Sequence, residues 1–303
     1  MFQKFIEKAV VNGRKKEIEI RKDEIWERYC RIIDRAGLEI DKEEDFNEII
    51  EKPCIFCMPE KLAKFGDEIG KERLENEYAF LFPNINPYAK YSSVCAFKKH
   101  YMSLNEFKPE MIEKNLELSM EYIRIVEEID NVRYASINWN YMMPSGASIL
   151  HPHMQTIVNS IPTTYIHKII QKKDKFMKYI EEEIKRERFI GRIGNFLLFC
   201  PFAPFGFNEV FGFSKEKNLR DLANAICNII SYYGKIRRNS FNLSVFISLN
   251  NEFPLHFRII TRQNMVKFYR NDAMFFERLH FETILEKKPE DVCREIREYM
   301  KKN

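Results

Sequence analysis

Apolar and polar positions along the chain change period several times, and the changes mark out its elements. The first forty or so residues are dense in charge. A short strand is expected at Glu17 to Ile20, followed by another segment around Trp26 to Ile33. Tyr78 to Ile85 and Ser93 to Phe97 read as two strands joined by the turn Asn86-Pro87-Tyr88-Ala89-Lys90. Ile112, Leu116, Ile123 and Val126 fall at helical spacing, which predicts an amphipathic helix over Pro109 to Glu128. Strands near Tyr134 to Asn138 and Leu150 to Val158 complete a β-β-α-β-β unit. A long charged helix is then expected from Tyr165 to Arg188, after which the same order returns. Phe196 to Cys200 and Glu209 to Phe213 read as strands, Leu219 to Tyr233 as a helix, and Asn242 to Ile247 and Leu255 to Thr261 as strands. A last helix opens at Pro289 and carries Val292, Ile296 and Met300 on one face.

The pattern predicts an α+β protein with mainly antiparallel sheets, built from two tandem units: residues 1–160, carrying the chemistry, and residues 161–303, a degenerate copy. The degeneracy is visible in the terminal strand of each unit. His151-Pro152-His153-Met154-Gln155 in the first becomes Pro254-Leu255-His256-Phe257-Arg258 in the second, with one histidine where the first has two.

Side chains alternate faces along a strand, so His151, His153 and Gln155 are expected on one face, with Met154, Thr156 and Val158 on the other. An imidazole can ligate a metal or attack an electrophile, and an amide can donate to a phosphoryl oxygen, so this face has the parts for nucleotidyl transfer. Upstream, Cys54 and Cys57 form a C-x-x-C knuckle beside Pro53. Such a knuckle supplies two thiolates to a tetrahedral structural zinc, which needs two further N or S ligands from elsewhere. His100 ends a strand and His151 lies two residues from His153. Ligation by both would tie knuckle, hairpin and active strand together; alone, His100 beside Lys98 and Lys99 reads as a surface residue.

Composition narrows the class. With 45% hydrophobic and 31% charged residues, the 303-residue chain reads as a soluble globular protein. A net charge of +4, from 49 basic and 45 acidic side chains, suits small anionic substrates and is too slight for a nucleic-acid binder. The start Met1-Phe2-Gln3-Lys4-Phe5 lacks a signal-peptide core and no apolar run is long enough for a bilayer, so a cytoplasmic protein without membrane partners is expected. Seven scattered cysteines are not a disulfide framework.

Several segments together resemble the galactose-1-phosphate uridylyltransferase family of the histidine triad superfamily. They are Asp34-Arg35-Ala36, Pro53-Cys54-Ile55-Phe56-Cys57, Asn76-Glu77-Tyr78-Ala79-Phe80-Leu81, Val94 to His100, and Asn140 through Ser148 to Gln155. They occur in the family's order and approximate spacing, strongly in the first unit and thinly in the second. The resemblance implies a HIT-like fold, galactose metabolism, and a nucleotidyltransferase that moves a nucleoside monophosphate, UMP, from a nucleotide sugar to a sugar 1-phosphate through a nucleotidyl-histidine. It makes His153 the nucleophile and Gln155 its phosphoryl partner. Ser148, Asn140 and Arg35 become phosphate contacts, Asn76 and Glu77 ribose and base contacts, and Cys54, Cys57, His100 and His151 the Zn²⁺ ligands. Glu277 matches a sugar-hydroxyl acceptor. A homodimer lending residues to the sugar pocket is also implied.

The chain departs from the family in two places. A second metal site would need a glutamate after the active strand and several second-unit histidines. Ile166-His167-Lys168-Ile169 and His256 stand there instead, so no second metal is expected. His256 is then a packed residue, and His167 and His280 ordinary side chains on helices. The segment Arg270 to Glu277 matches the family's sugar-reading stretch poorly. Rival readings change the acceptor to inorganic phosphate or to water, or leave a nucleotide-binding protein without catalysis.

Overall fold

The structure is a computed structural model, and it describes residues 2–33, 50–51, 53–266 and 273–302. In chain order its strands and helices are β1 (Gln3–Val11), β2 (Arg14–Asp23), β3 (Arg28–Ile33), β4 (Leu74–Glu75), β5 (Ala79–Pro83), β6 (Tyr91–Phe97), α1 (Pro109–Ile129), β7 (Tyr134–Tyr141) and β8 (His153–Asn159). The second half continues with α2 (Thr164–Gln171), α3 (Lys173–Glu183), β9 (Phe189–Ile193), β10 (Phe196–Phe199), β11 (Phe207–Ser214), α4 (Leu219–Lys235), β12 (Phe241–Ser248), β13 (Leu255–Thr261), α5 (Phe275–Leu279), β14 (Thr283–Leu285) and α6 (Pro289–Met300).

The two β-β-α-β-β units join edge to edge. Among the described residues they form one sheet in the order β4-β5-β6-β8-β7-β12-β13-β11-β10-β9, with the central β7–β12 pair antiparallel. The order reads the same from either end, so an approximate twofold relates the halves. Cross-strand partners share a face, and one row runs Val94, Gln155, Asn138, Ser244, Arg258, Phe211. Gln155 and Arg258 are therefore equivalent, as are His153 and His256 two residues earlier on their strands.

β7 alternates as its sequence suggests, with Ile137, Trp139 and Tyr141 buried and Ser136, Asn138 and Asn140 less so. Its apolar face joins Met154, Leu243 and Val245 in a core shared with Ile112, Leu116, Ile123 and Val126 of α1 and Leu222, Ile226, Ile229 and Ile230 of α4. Each such side chain removed from water contributes roughly 1.5–3 kcal/mol, which fixes both helices on this face. The opposite face carries His153 and Gln155.

Three sequence expectations are corrected. The helix foreseen over Tyr165 to Arg188 is two helices, because Lys172 leaves helical geometry (φ −126°, ψ 35°) and its Nζ donates to the carbonyls of Glu24 and Ile25. The active strand begins at His153, so His151 precedes it instead of alternating with it. Beyond the expected strand, β1 and a longer β2 form a hairpin; most of β1 is exposed on both faces, which erases the alternation that betrays a half-buried strand. The first 33 residues are held by the second half of the chain, since β3 pairs in parallel with β14 and the buried Arg21 forks onto Glu290. His167 lies on α2, and His280 lies just past the end of α5. No helix among the described residues is long and apolar enough to cross a membrane.

Candidate active site and metal centre

Backbone hydrogen bonds of a 3-10 turn, Cys57 N–H to the Cys54 carbonyl and Met58 N–H to the Ile55 carbonyl, bend the chain so that Cys54 and Cys57 point the same way. His100 comes from the end of the β6 hairpin and His151 from the approach to β8. The ligand atoms of Cys54, Cys57, His100 and His151 all lie within 4.8 Å of one another. A tetrahedral metal with Zn–S near 2.3 Å and Zn–N near 2.0–2.1 Å would hold S and N about 3.6 Å apart. His151 Nδ1 is 3.6 Å from both Cys54 Sγ and Cys57 Sγ, and His100 Nδ1 is 3.1 Å from Cys57 Sγ.

The outer contacts fit the same use. His100 Nε2–H donates to the Ile50 carbonyl at 2.7 Å and His151 Nε2–H donates to the Phe97 carbonyl. Each bond fixes the tautomer that leaves Nδ1 with its lone pair turned to the cluster. Burial also pushes the His151 pKa down to about 4, which keeps the ring neutral as a ligand must be. The four residues can thus hold a metal ion, and the two-thiolate, two-imidazole set is that of a structural zinc site.

Phe56, inside the knuckle, packs edge-on against both His151 and His153, with ring centroids 5.7 and 5.2 Å away. His153 Nδ1–H donates to the His151 carbonyl at 2.8 Å, which makes Nε2 the nitrogen with the lone pair, and among the described residues it has no hydrogen bond. Burial lowers the pKa of His153, favouring the neutral, nucleophilic ring. It stands on the wall of a cavity of about 180 Å³. Gln155, Ser148, Phe82, Asn84 and Asn86 line this cavity with it, and Ile55 and Leu62 close it on the knuckle side.

The other expected site residues divide. Asn140 adjoins the loop to Ser148, its Nδ2 lying 3.9 Å from where a Cβ on Gly146 would stand. Arg35 lies outside the described residues. Asn76 and Glu77 do not line the cavity. The Asn76 side chain accepts from the N–H groups of Tyr78 and Ala79 and donates to the Lys114 carbonyl, which makes it a brace for the start of β5. The asparagines that reach the cavity are Asn84 and Asn86, at the other end of β5. Sequence reading missed them, although Pro83-Asn84-Ile85-Asn86-Pro87, two amides between prolines just after a strand, was a readable signal. Glu277 does not line this cavity either. It borders a separate cleft of about 540 Å³ with Trp26, Arg28, Tyr165, Lys168 and Phe205.

The equivalent centre in the second half is filled. His256 Nδ1–H donates to the Pro254 carbonyl at 2.8 Å, as His153 does to His151, but its Nε2 meets the Tyr165 hydroxyl at 3.2 Å. Phe211 and Phe246 stack on its ring, and Phe176 and Phe253 also pack against it. Arg258, in the place of Gln155, pairs with Glu209 at 3.1 Å and lies 3.7 Å from the Phe205 ring centroid.

The sequence matches no protein-family model. It is 31% identical to an uncharacterized protein from Archaeoglobus fulgidus, over an alignment spanning 98% of both chains. Among solved structures it is similar to an ADP-glucose phosphorylase from Arabidopsis thaliana (TM-score 0.71, 18% identity) and to a uridylyltransferase (TM-score 0.66, 18% identity), each match covering 93% of this chain and 98% of the other. A GalT-like protein from Arabidopsis thaliana is similar to the same degree, with a TM-score of 0.70. The chain therefore belongs to one family with the Archaeoglobus fulgidus protein, and its fold is that of the ADP-glucose phosphorylase, the GalT-like protein and the uridylyltransferase.

Proposed function

We propose that the protein is a nucleotidyltransferase working by two displacements at one phosphorus. His153 Nε2 attacks the α-phosphorus of a nucleoside-diphosphate sugar; an N–P bond forms, the P–O bond to the sugar phosphate breaks, and sugar 1-phosphate leaves. A phosphate oxygen of the second substrate, a sugar 1-phosphate, then attacks the same phosphorus and releases the imidazole. The observation that carries this reading is the His153 ring itself, on the wall of the cavity, with Nδ1–H tied to the His151 carbonyl and Nε2 without a hydrogen bond among the described residues. Gln155 and Ser148 line the same cavity and supply donors to the phosphoryl oxygens, and Asn140 supplies another from the edge of the loop. An amide is a poor proton donor to a leaving group, which favours transfer over hydrolysis.

Asn84 and Asn86 are assigned to the ribose and base end, with UMP as the group carried. Zinc on Cys54, Cys57, His100 and His151 would supply a rigid anchor for the backbone between His151 and His153. A second copy of the chain, completing the sugar end in a cytoplasmic homodimer, belongs to the same reading.

The likeness to an ADP-glucose phosphorylase at a TM-score of 0.71 favours a second reading, in which inorganic phosphate is the acceptor. One experiment tests the first step and then separates the acceptors. Incubated with UDP- or ADP-sugars labelled in the α-phosphate and no acceptor, wild type should gain an acid-labile label and His153→Gly should not. Adding a sugar 1-phosphate or inorganic phosphate to the labelled protein then identifies the acceptor by its product. A wild type that stays unlabelled with every nucleotide sugar would leave only nucleotide binding.

A further inference from the structure

The two halves of the sheet meet at the β7–β12 pair, and there Asn140 stands opposite Asn242. The direction of hydrogen bonding across this pair is set at its far end. Arg262 Nη1 donates to Asn242 Oδ1 at 2.8 Å, and a guanidinium has no acceptor, so Asn242 must turn its oxygen toward Arg262. Its Nδ2 then faces the first half, donating to Asn140 Oδ1 at 2.6 Å and to the Ser145 carbonyl at 2.8 Å.

With Oδ1 engaged, Asn140 turns its own NH₂ away from Asn242. No hydrogen bond of Asn140 Nδ2 is found among the described residues, and it lies against Gly146, whose φ of +94° starts the loop to Ser148 and His151. We propose that Arg262 and Asn242 form a donor relay that fixes Asn140 with its N–H groups toward the phosphoryl group transferred at His153, so that the second half of the sheet orients a donor of the first. Asn242 and Arg262 are positioning residues; the relay rests on the transfer reading above.

The relay makes an unusual ranking of variants. Asn242→Asp keeps the size of the side chain but offers only acceptors. Asn140 must then flip to donate to it, which turns Oδ1 toward the phosphoryl oxygens, while the new carboxylate faces the Ser145 carbonyl. Asn242→Ala removes more atoms and merely leaves Asn140 free to turn. Affinity for UMP and for AMP, measured by titration calorimetry, and the rate of His153 labelling by UDP- and ADP-sugars are the readouts. Asn242→Asp is expected to cost about 100-fold or more, the scale of losing a transition-state donor, and Asn242→Ala about 10-fold. Arg262→Met, which unlocks the relay, is expected to cost about 10-fold and covers the case of an aspartate variant that does not fold.

A role in packing alone predicts the reverse, with alanine at least as harmful as aspartate, and that ranking overturns the relay. So does wild-type behaviour of Arg262→Met. If wild type binds mononucleotide but takes no label, the transfer reading fails and the affinities still judge the relay. If wild type is labelled and Asn242→Asp is labelled as fast, the relay alone fails. A wild type that does neither overturns both.

Discussion

His153 and His256 hold equivalent positions in the two halves of one sheet and make the same bond, Nδ1–H to the carbonyl two residues back at 2.8 Å. What covers them differs. Over the second half lie α2, α3 and the β2–β3 turn, bringing Tyr165, Phe176 and Trp26 with Ile166, Ile169 and Ile180 into one cluster on Phe199 and Phe211. His256 is 0% exposed beneath that layer, with Nε2 capped by Tyr165. Over the first half, among the described residues, lies the cysteine knuckle, whose Phe56 packs on Phe80, Phe82, Val94 and Ala96 and stops short of closing the cavity. Strand geometry alone thus makes a well-oriented imidazole; a reactive site needs, in addition, a face left open.

The largest expected effect tests that distinction directly. Peptide mapping of the labelled protein should find the nucleotide on His153 and none on His256, and His153→Gly should lower labelling by about 10⁴-fold or more, the scale of losing a catalytic nucleophile. Label on His256 would mean that the aromatic layer opens. Next in size is the candidate metal centre, a Cys/His cluster with no counterpart among the described residues of the second half. Cys57→Ser, or prolonged chelation, should release zinc measured by elemental analysis, lower the melting temperature, and cut labelling by about 100-fold. Full labelling of a metal-free protein would disconnect the knuckle from His153.

A smaller effect belongs to the cavity's far wall. Asn84→Ala should weaken mononucleotide binding by about 10-fold, the scale of one hydrogen bond, whereas Asn76→Ala should act on melting temperature and leave affinity alone. The smallest concerns His256. Burial drives its pKa down to about 3 against an ordinary 6.5, so below pH 6.5 the unfolded chain takes up a proton that the folded protein refuses. Its contribution to stability is complete above pH 6.5 and is lost as pH falls from there toward 3. The groups facing the ring are the Tyr165 hydroxyl and, through its charge, Arg258. His256→Phe should leave labelling unchanged and remove roughly 1–2 kcal/mol of destabilisation by pH 5, read as a flatter dependence of melting temperature on pH.

Much of the site was legible before any coordinates because its chemistry restricts residue type. A structural zinc site draws on thiolates and imidazoles, so Cys54, Cys57, His100 and His151 stood out, and the structure brings all four together. Asn76 and Asn84 show the limit. Both flank the same strand, and an amide serves equally as a turn brace or a ligand contact. The register sets His153 level with Phe80, midway between the two; what separates them is that Asn76 is taken up by Tyr78, Ala79 and the Lys114 carbonyl while Asn84 lines the cavity. The break at Lys172 was equally hidden, because its cause is two carbonyls about 150 residues away in sequence.

By itself, then, the sequence determined the order of elements, the doubled β-β-α-β-β pattern and the residue types of the metal and histidine centre, since periodicity and ligand chemistry are written locally. Only the tertiary structure decided which of two equivalent imidazoles lines a cavity, which asparagines line it too, and that Asn140 accepts a hydrogen bond from Asn242 of the other half of the chain. Those outcomes depend on which distant segments pack on each face of the sheet, and packing between distant segments leaves no period along a strand.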